Sequence, residues 1–462
     1  MPTHVIILAA GQGKRMMSAL PKVAHTAAGR TLVGWVIDAA SKSNPESMVV
    51  VLGHGADEVR PHLDSSIRVA IQEQQLGTGD AARVGIAQIP DLAPDDTVVV
   101  LNGDMPMITP ELVAELVARP PATAALLVTA VFEDPSGYGR IVRENGSVVG
   151  IVEDRDCTPD QLGIDEINAG IYSFRAGDLI EALDQVTSDN SQGELYITDV
   201  IGILSGKGAK LEPVTAAPRE VIGINSQDQL ADARKQLRTR INIDHLQAGV
   251  KIIDLERTYI DDSVSIEPGA TIYPGVHLEG STTIGADARV GPDVFAVDSE
   301  IGAGSIVWYS VLRGAVIGEG CEVGPYASLR SGTVLMNGAK LGTFVETKNS
   351  TLGEGAKANH LTYLGDATIG RGTNIGAGTV TCNYDGYEKH ATTIGEDVFI
   401  GSDTMLVAPL TIGDRAITGA GSAITRDVED DALAVERSEQ KNIEGYARRR
   451  AERQAAKKTE GQ

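Results

Sequence analysis

Two different rhythms of apolar and polar positions divide the chain. Up to about residue 225, short unbroken apolar runs alternate with amphipathic stretches. Thr3–Ala9 (THVIILA) and residues 48–52, 67–71 and 97–101 are too continuously apolar for half-exposed strands, so they are read as buried ones. Residues 32–40, 79–88 and Pro110–Val117 carry helical periodicity, the last opened by a Thr-Pro start signal. Strand–helix alternation of this kind predicts a parallel sheet with helices on both faces, a Rossmann-like α/β domain. Such a sheet places ligand sites beyond the carboxyl ends of its strands. Gln227–Gln247, rich in Ala, Arg, Leu and Asp, is predicted as a linker helix.

From about Lys251 an aliphatic residue recurs every six positions, often followed by glycine. Ile266, Ile272, Leu278, Ile284-Gly285 and Val290-Gly291 form one run; Ile317-Gly318, Val323-Gly324 and Leu329 form another. Ile369-Gly370, Ile375-Gly376, Ile394-Gly395, Ile400-Gly401 and Leu406 continue it. A sustained six-residue repeat is the signature of a parallel β-helix, each piece one flat side with its aliphatic turned inward. The rhythm fails at residues 295–300, 307–312, 343–349, 354–364 and 381–391, which are expected to leave the solenoid as external loops. The expected organisation is therefore residues 1–226, a linker helix at 227–250, a β-helix at 251–441 and a polar, basic, solvated or frayed tail at 442–462. Arg448, Arg449, Arg450, Arg453, Lys457 and Lys458 make up the basic cluster of that tail.

Composition narrows the function. The 40 basic and 63 acidic residues leave a net charge of −23, which disfavours nucleic acid and anionic membrane as partners. A small anionic substrate needs only a few local cations and is still allowed. Three widely spaced cysteines, with no CxxC or HxH pattern, argue against a disulfide framework or a thiolate metal site. The start has an apolar run but no basic leader and no cleavage pattern, and no stretch reaches membrane-spanning length. A cytoplasmic enzyme is the expectation.

Two groups of residues carry chemistry. In the first, strand 3–9 runs into Leu8-Ala9-Ala10-Gly11-Gln12-Gly13-Lys14-Arg15, followed by Leu20-Pro21-Lys22. Glycines allow close approach to a phosphate chain, and Lys14, Arg15 and Lys22 supply cations. Neither the P-loop spacing nor the third glycine of a dinucleotide fingerprint is present. Gln72 and Gln75-Leu76-Gly77-Thr78-Gly79 follow a strand and offer amides that could read a base edge. Asn102-Gly103-Asp104 ends the most apolar strand, where Asp104 beside a phosphate loop is a natural Mg²⁺ ligand and Asn225 a possible second oxygen. In the other group, His360 stands where the six-residue rhythm fails. Arg330, Lys348, Tyr363, Asn374, Asn383, Tyr384 and Lys389 lie on neighbouring coils. A step there that removes a proton from a bound substrate would need a base that titrates near the working pH. Histidine, which ordinarily titrates near neutral pH, is the natural base.

The combination of LAAGxGxR with LPK, QxxQLGTG, GD, GYGRI, Ile167-Asn168-Ala169-Gly170 and Glu194-Leu195-Tyr196-Ile197-Thr198-Asp199 resembles the sugar-1-phosphate nucleotidyltransferases. Joined to a hexapeptide half, it resembles the bacterial bifunctional N-acetylglucosamine-1-phosphate uridylyltransferase/glucosamine-1-phosphate acetyltransferase family, from Val5 to about Tyr446. The resemblance implies a left-handed, trimeric β-helix, a handedness contrary to the usual rule for parallel crossovers. It implies that Leu8, Ala9, Ala10, Gly11, Arg15, Gln72, Gly77, Thr78, Asn102 and Gly103 hold the uridine nucleotide, with Lys22 at its phosphates. Asp104 and Asn225 would bind Mg²⁺, and Gly139, Glu153, Asn168 and Tyr196 the sugar. Arg330, Lys348, Tyr363, Asn374 and Lys389 would bind glucosamine-1-phosphate, with His360 as base. Acetyl-CoA would lie along Ala377, Ser402, Ala420 and Arg437, with Asn383 and Tyr384 close by. The implied product is UDP-N-acetylglucosamine, a precursor of cell-envelope polymers, made from UTP and acetyl-CoA. Two other readings stay open on the residues alone. One is a nucleotidyltransferase of a different sugar or base with a structural or regulatory β-helix; the other is a trimerising scaffold, which would need no phosphate loop.

Overall fold

Apolar runs that cannot expose either side become the centre of a sheet. The structure, a computed structural model, describes residues 1–459 except Gln12; the side chains of Lys14, Lys458 and Thr459 also lie outside the described residues. It divides into two units, Met1–Ile243 with Ile260–Asp262, and Asp244–Tyr259 with Ser263–Gln462.

The sheet of the first unit contains β1 (Thr3–Ala9), β2 (Ser47–Leu52), β3 (Arg68–Ile71), β4 (Thr97–Asn102) and β5 (Ala125–Val131). A hairpin, β6 (Arg140–Glu144) and β7 (Ser147–Val152), precedes β8 (Glu166–Arg175), and β9 (Leu211–Thr215) closes the set. Their order is β9-β5-β8-β4-β1-β2-β3, with the hairpin attached to β8. Alternate residues of each strand serve opposite faces. Ile7, Val50 and Leu101 pack on one face with α1 (Leu32–Ser41) and, after α2 (Thr78–Ile86), with α3 (Pro110–Val117). Ile6, Val51 and Val100 pack on the other with α2, α4 (Ala176–Leu183) and α5 (Thr198–Gly206). Pro110 opens α3 behind Thr109, whose Oγ1 accepts from the Leu112 amide at 3.3 Å. Helices on both faces agree with the sequence reading, but the sheet is not wholly parallel. β8 runs antiparallel to both β4 and β5, because it is entered from the β6–β7 hairpin rather than through a crossover helix. Helix α6 spans Gln227–Gln247.

In the second unit, one inward position recurs through nine short parallel strands as Ile266, Ile284, Ile301, Ile317, Leu335, Leu352, Ile369, Ile394 and Ile412. Each is almost fully buried, so the aliphatic of every coil sits on that of the coil before it. Most of the expected loops are absent. The irregularities at 295–300 and 307–312 only shorten a turn of the solenoid, and strands Phe295–Val297 and Val311–Arg313 pass through them. Residues 343–349 and 354–364 lie largely within two long paired strands, Lys340–Lys348 and Lys357–Gly365. Polar residues there replaced the hexad signature without breaking backbone pairing. Only the last irregularity leaves the wall, as a loop joined by a bridge between Tyr384 and Lys389.

The tail departs from the frayed alternative: α7, Tyr446–Thr459, is helical, and its described side chains are exposed. Its Ala, Arg, Gln and Lys residues are strong helix formers. No helix among the described residues is long and apolar enough to cross a membrane.

Candidate active sites

The carboxyl ends of β1 and β4 open into a cavity of about 420 Å³. The Gly103 amide donates to the Leu8 carbonyl at 2.9 Å and ties the two strand ends together. Leu8, Ala9, Ala10, Gly11, Arg15, Lys22, Thr78, Asn102, Asp104, Gly139, Glu153, Asn168 and Asn225 all line the cavity. At its centre Lys22 Nζ donates to Asp104 Oδ2 and, at 3.0 Å, to Asn225 Oδ1. Asn225 is held from the other side, its Nδ2 donating to the Gly223 carbonyl at 3.1 Å and its amide to Gln229 Oε1 at 2.7 Å. A carboxylate and an amide oxygen therefore converge on one cation. That donor set suits an oxygen-preferring metal ion that also takes phosphate ligands. Among the described residues no group of three or more His, Cys, Asp or Glu forms an all-protein cage.

Gln72 and Gly77 contribute differently. Gln72 Nε2 donates to the Gly77 carbonyl at 3.1 Å and to Asp80 at 2.8 Å, so the side chain braces the turn into α2. Gly77 has φ 114°, and a Cβ there would fall 2.5 Å from the Leu195 carbonyl oxygen, so conformation and space both require glycine. Gln75 Nε2 donates to the Ala10 carbonyl at 2.6 Å, linking this turn to the glycine-rich loop.

The hairpin and β8 supply the far wall. Glu153 accepts from Thr198 Oγ1 at 3.1 Å. Burial, reinforced by Asp199, Asp156 and Asp154, raises its carboxyl above the ordinary range, with the Thr198 bond opposing. Asn168 and the buried Tyr172 hydroxyl exchange hydrogen bonds at 2.8 and 3.0 Å, fixing the amide. Asn102 Nδ2 donates to the Gly170 carbonyl at 3.2 Å. Tyr196 is buried, and its hydroxyl accepts from Gln192 at 2.7 Å. Tyr138, Thr198 and Gln229 also line the cavity and were not assigned from sequence. Tyr138 was inside the quoted GYGRI motif; its hydroxyl is raised by burial and by Asp104. Gln229 lies on α6 and carried no signal. The Lys14 side chain, expected among the cations, lies outside the described residues.

On the solenoid, Lys348 ends the strand Lys340–Lys348 and Lys389 comes from the 383–391 loop. The charge of Lys389 beside it, with Arg330 also nearby, lowers the Lys348 ammonium below the usual lysine range. Asp366 lies against the pair and accepts from Asn349 at 2.7 Å and Asn383 at 2.5 Å; these bonds and the lysines hold its carboxyl low. Arg330 pairs with Glu346 at 3.1 Å, and Glu346 stands opposite Tyr363 in the next coil. Positive charge gathered at one corner in this way suits an anionic ligand. His360 is exposed, on the same strand as Tyr363 and opposite Thr343. Asn374 is not in that corner: it pairs with Lys357, at the other end of that strand. Ala377, Ser402 and Ala420 fall on three successive coils. Their carbonyls accept from the amides of Asp403 (2.7 Å) and Gly421 (2.8 Å) and from Arg437 Nη1 (3.1 Å). Tyr384 is exposed at the base of the loop, its hydroxyl donating to the Gly386 carbonyl.

Residues 5–197 match the family described as MobA-like NTP transferase domain, and residues 391–426 match bacterial transferase hexapeptide (six repeats). An α/β nucleotidyltransferase body followed by a left-handed β-helix of hexapeptide repeats defines a nucleotidyltransferase–acyltransferase. Among curated proteins, the Bifunctional protein GlmU of Streptomyces coelicolor is 47% identical over 468 residues, 99% of this chain and 97% of its own. That of Streptomyces avermitilis is 46% identical over the same shares, and that of Corynebacterium glutamicum 45% over 96% of this chain and 94% of its own. The chain belongs to the GlmU family. It is a bifunctional enzyme of UDP-N-acetylglucosamine synthesis, with acetyltransferase and uridylyltransferase activities.

Proposed function

We propose that the cavity of the first unit binds UTP and N-acetylglucosamine-1-phosphate, and that the Lys348–Lys389 corner binds glucosamine-1-phosphate beside acetyl-CoA. Residues 1–226 are the uridylyltransferase domain and 251–441 the acetyltransferase domain, joined by 227–250 and followed by the 442–462 tail. The observation that carries this reading is the pairing of two separate anion sites on one chain. One centres on Lys22 between Asp104 and Asn225. The other centres on Lys348 against Lys389.

Acetyl transfer comes first. The phosphate of glucosamine-1-phosphate settles between Lys348, Lys389 and Arg330, with Tyr363 and, from a neighbouring copy, Asn374 completing the sugar contacts. His360 takes a proton from the sugar ammonium, and the freed amine attacks the thioester carbonyl. The carbon–sulfur bond then breaks as the nitrogen gives up its second proton, and coenzyme A leaves carrying that proton as the free thiol. Acetyl-CoA lies along Ala377, Ser402, Ala420 and Arg437, with Asn383 and Tyr384 at its reactive end.

In the uridylyl step, a sugar phosphate oxygen is already an anion and needs no strong base. It attacks the α-phosphorus of UTP in line, and pyrophosphate leaves. Leu8 to Gly11, Arg15, Gln72, Gly77, Thr78, Asn102 and Gly103 hold the nucleotide; Gly139, Glu153, Asn168 and Tyr196 hold the sugar. Lys22 neutralises developing charge on the phosphates. Asp104 and Asn225 would hold Mg²⁺, which would supply further neutralisation of phosphate charge.

The enzyme works as a homotrimer through the β-helix. Tyr309, Tyr326, Phe344 and Leu361 stand at solenoid corners with left-handed φ of 44–60° and are exposed. Bulky residues are disfavoured there, and they form an apolar edge that a second copy would cover. Rings of Tyr309, Tyr326 and Phe344 follow one another at 5.7 and 5.6 Å. A neighbouring copy would also bring Asn374 to the corner that it does not reach in its own chain. The cytoplasm is the location, consistent with three cysteines that form no disulfide.

Thermal denaturation tests the two-site reading. Acetyl-CoA and UTP with Mg²⁺ are each expected to raise a melting transition, since a ligand stabilises the state it binds. A response to UTP with none to acetyl-CoA would leave the β-helix as a structural module.

A further inference from the structure

Arg140 is the largest wholly buried side chain among the described residues, 2% exposed. A guanidinium so placed is costly unless it is paired, and an apolar side chain of similar length would fill the space without that penalty. Volume therefore does not explain the charge. Its compensation is directional. Nη2 reaches Asp154 Oδ1 at 3.1 Å, Nη1 donates to the Tyr138 carbonyl, and Nε has no hydrogen-bond partner.

Both contacts lie on the cavity wall or next to it. Tyr138 and Gly139, just before Arg140, line the cavity, as does Glu153, just before Asp154. In register Arg140 stands opposite Val152 on the hairpin and Ile167 on β8. The Asn168 amide donates to the Gly139 carbonyl at 2.8 Å. The buried cation thus joins the segments that present Gly139 and Glu153, and backbone pairing at the same residue ties in β8, which presents Asn168.

We propose that Arg140, through its pair with Asp154, is a positioning residue for the sugar end of the uridylyl-transfer site. It fixes the spacing of Gly139, Glu153 and Asn168 while leaving the nucleotide end untouched. The inference rests on the reading that this cavity binds N-acetylglucosamine-1-phosphate.

The test is steady-state pyrophosphate release by the full chain with Mg²⁺, varying N-acetylglucosamine-1-phosphate and UTP separately, with acetyl transfer and a thermal melt as folding controls. Arg140→Met is expected to raise KM for the sugar phosphate about tenfold or more, with KM for UTP and kcat within roughly threefold. Asp154→Asn moves the same constant in the same direction, and Arg140→Lys recovers part of the loss. An unchanged sugar KM in Arg140→Met, or an equal rise in both KM values, would overturn the proposal. If Arg140→Met loses the melting transition of the first unit, Asp154→Asn decides on the same two criteria. A wild-type protein that releases no pyrophosphate from these substrates would instead remove the reading beneath it.

Discussion

The Lys22 ammonium is shared between the Asp104 carboxylate and the Asn225 amide oxygen, 3.0 Å from the latter. One side chain carries the compensating charge for a carboxylate at the carboxyl edge of the sheet. Lys22→Ala or Asp104→Asn is expected to lower uridylyl transfer by roughly 10²-fold or more while leaving acetyl transfer within about twofold. Separate thiol and pyrophosphate assays on one preparation check this; full pyrophosphate release by either variant would remove the assignment.

His360 is the proposed base of the other reaction. Its replacement by alanine should cost acetyl transfer on the order of 10²–10⁴-fold, the usual contribution of a positioned proton acceptor. Pyrophosphate release from directly supplied N-acetylglucosamine-1-phosphate should be unaffected. Acetyl transfer retained within a few-fold would count against the role.

Lys389 and, less strongly, Arg330 lower the Lys348 ammonium below the usual lysine range. Affinity for a phosphate should therefore weaken with rising pH earlier than it would for an ordinary lysine site. Lys389→Met removes the repulsion, so the remaining pH dependence should move to higher pH even as KM for glucosamine-1-phosphate rises about tenfold. A KM–pH profile that keeps its wild-type alkaline limb would contradict the coupling.

Glu153 is raised by burial, so its ionised form weighs against the fold. A raised carboxyl contributes stability at low pH that is lost as pH climbs through the folded-state value. Glu153→Gln should accordingly raise the melting temperature of the first unit at neutral pH, with the gain shrinking as pH falls through the raised folded-state value and gone below the ordinary carboxylate range. Uridylyl transfer should fall at the same time. Melts of both proteins at pH 4 and pH 7.5 decide it.

Phe344 lies in the exposed corner column of the β-helix. If a second copy covers it, Phe344→Asp should shift the protein from three times its 48.5 kDa chain mass toward the monomer, and acetyl transfer should fall with assembly. An unchanged mass by light scattering would show that another surface makes the contact.

Much of this architecture could be read because single positions had single jobs. The Ile266-to-Ile412 ladder is legible because each inward site takes one aliphatic per coil, and β1 because neither of its faces meets water. The reversal of β8 was illegible: strand direction follows from the β6–β7 hairpin that feeds it, and no residue of Glu166–Arg175 encodes it alone. Residues 343–349 and 354–364 read as loops because polar residues, Lys348, His360 and Tyr363 among them, stand where the hexad signature would, while the backbone pairing persists. Arg140 illustrates the converse case. A charged residue reads as surface until tertiary packing encloses it. The distance of Asn374 from the Lys348–Lys389 corner follows from the solenoid path, which periodicity does not specify.

The most direct measurement supplies glucosamine-1-phosphate, acetyl-CoA, UTP and Mg²⁺ to the purified protein and follows free thiol and pyrophosphate separately. Release of both, with pyrophosphate lagging behind thiol, is the predicted result for two sites working in sequence. Pyrophosphate only when N-acetylglucosamine-1-phosphate is added directly, with no thiol at any time, would contradict the acetyl-transfer site on the β-helix.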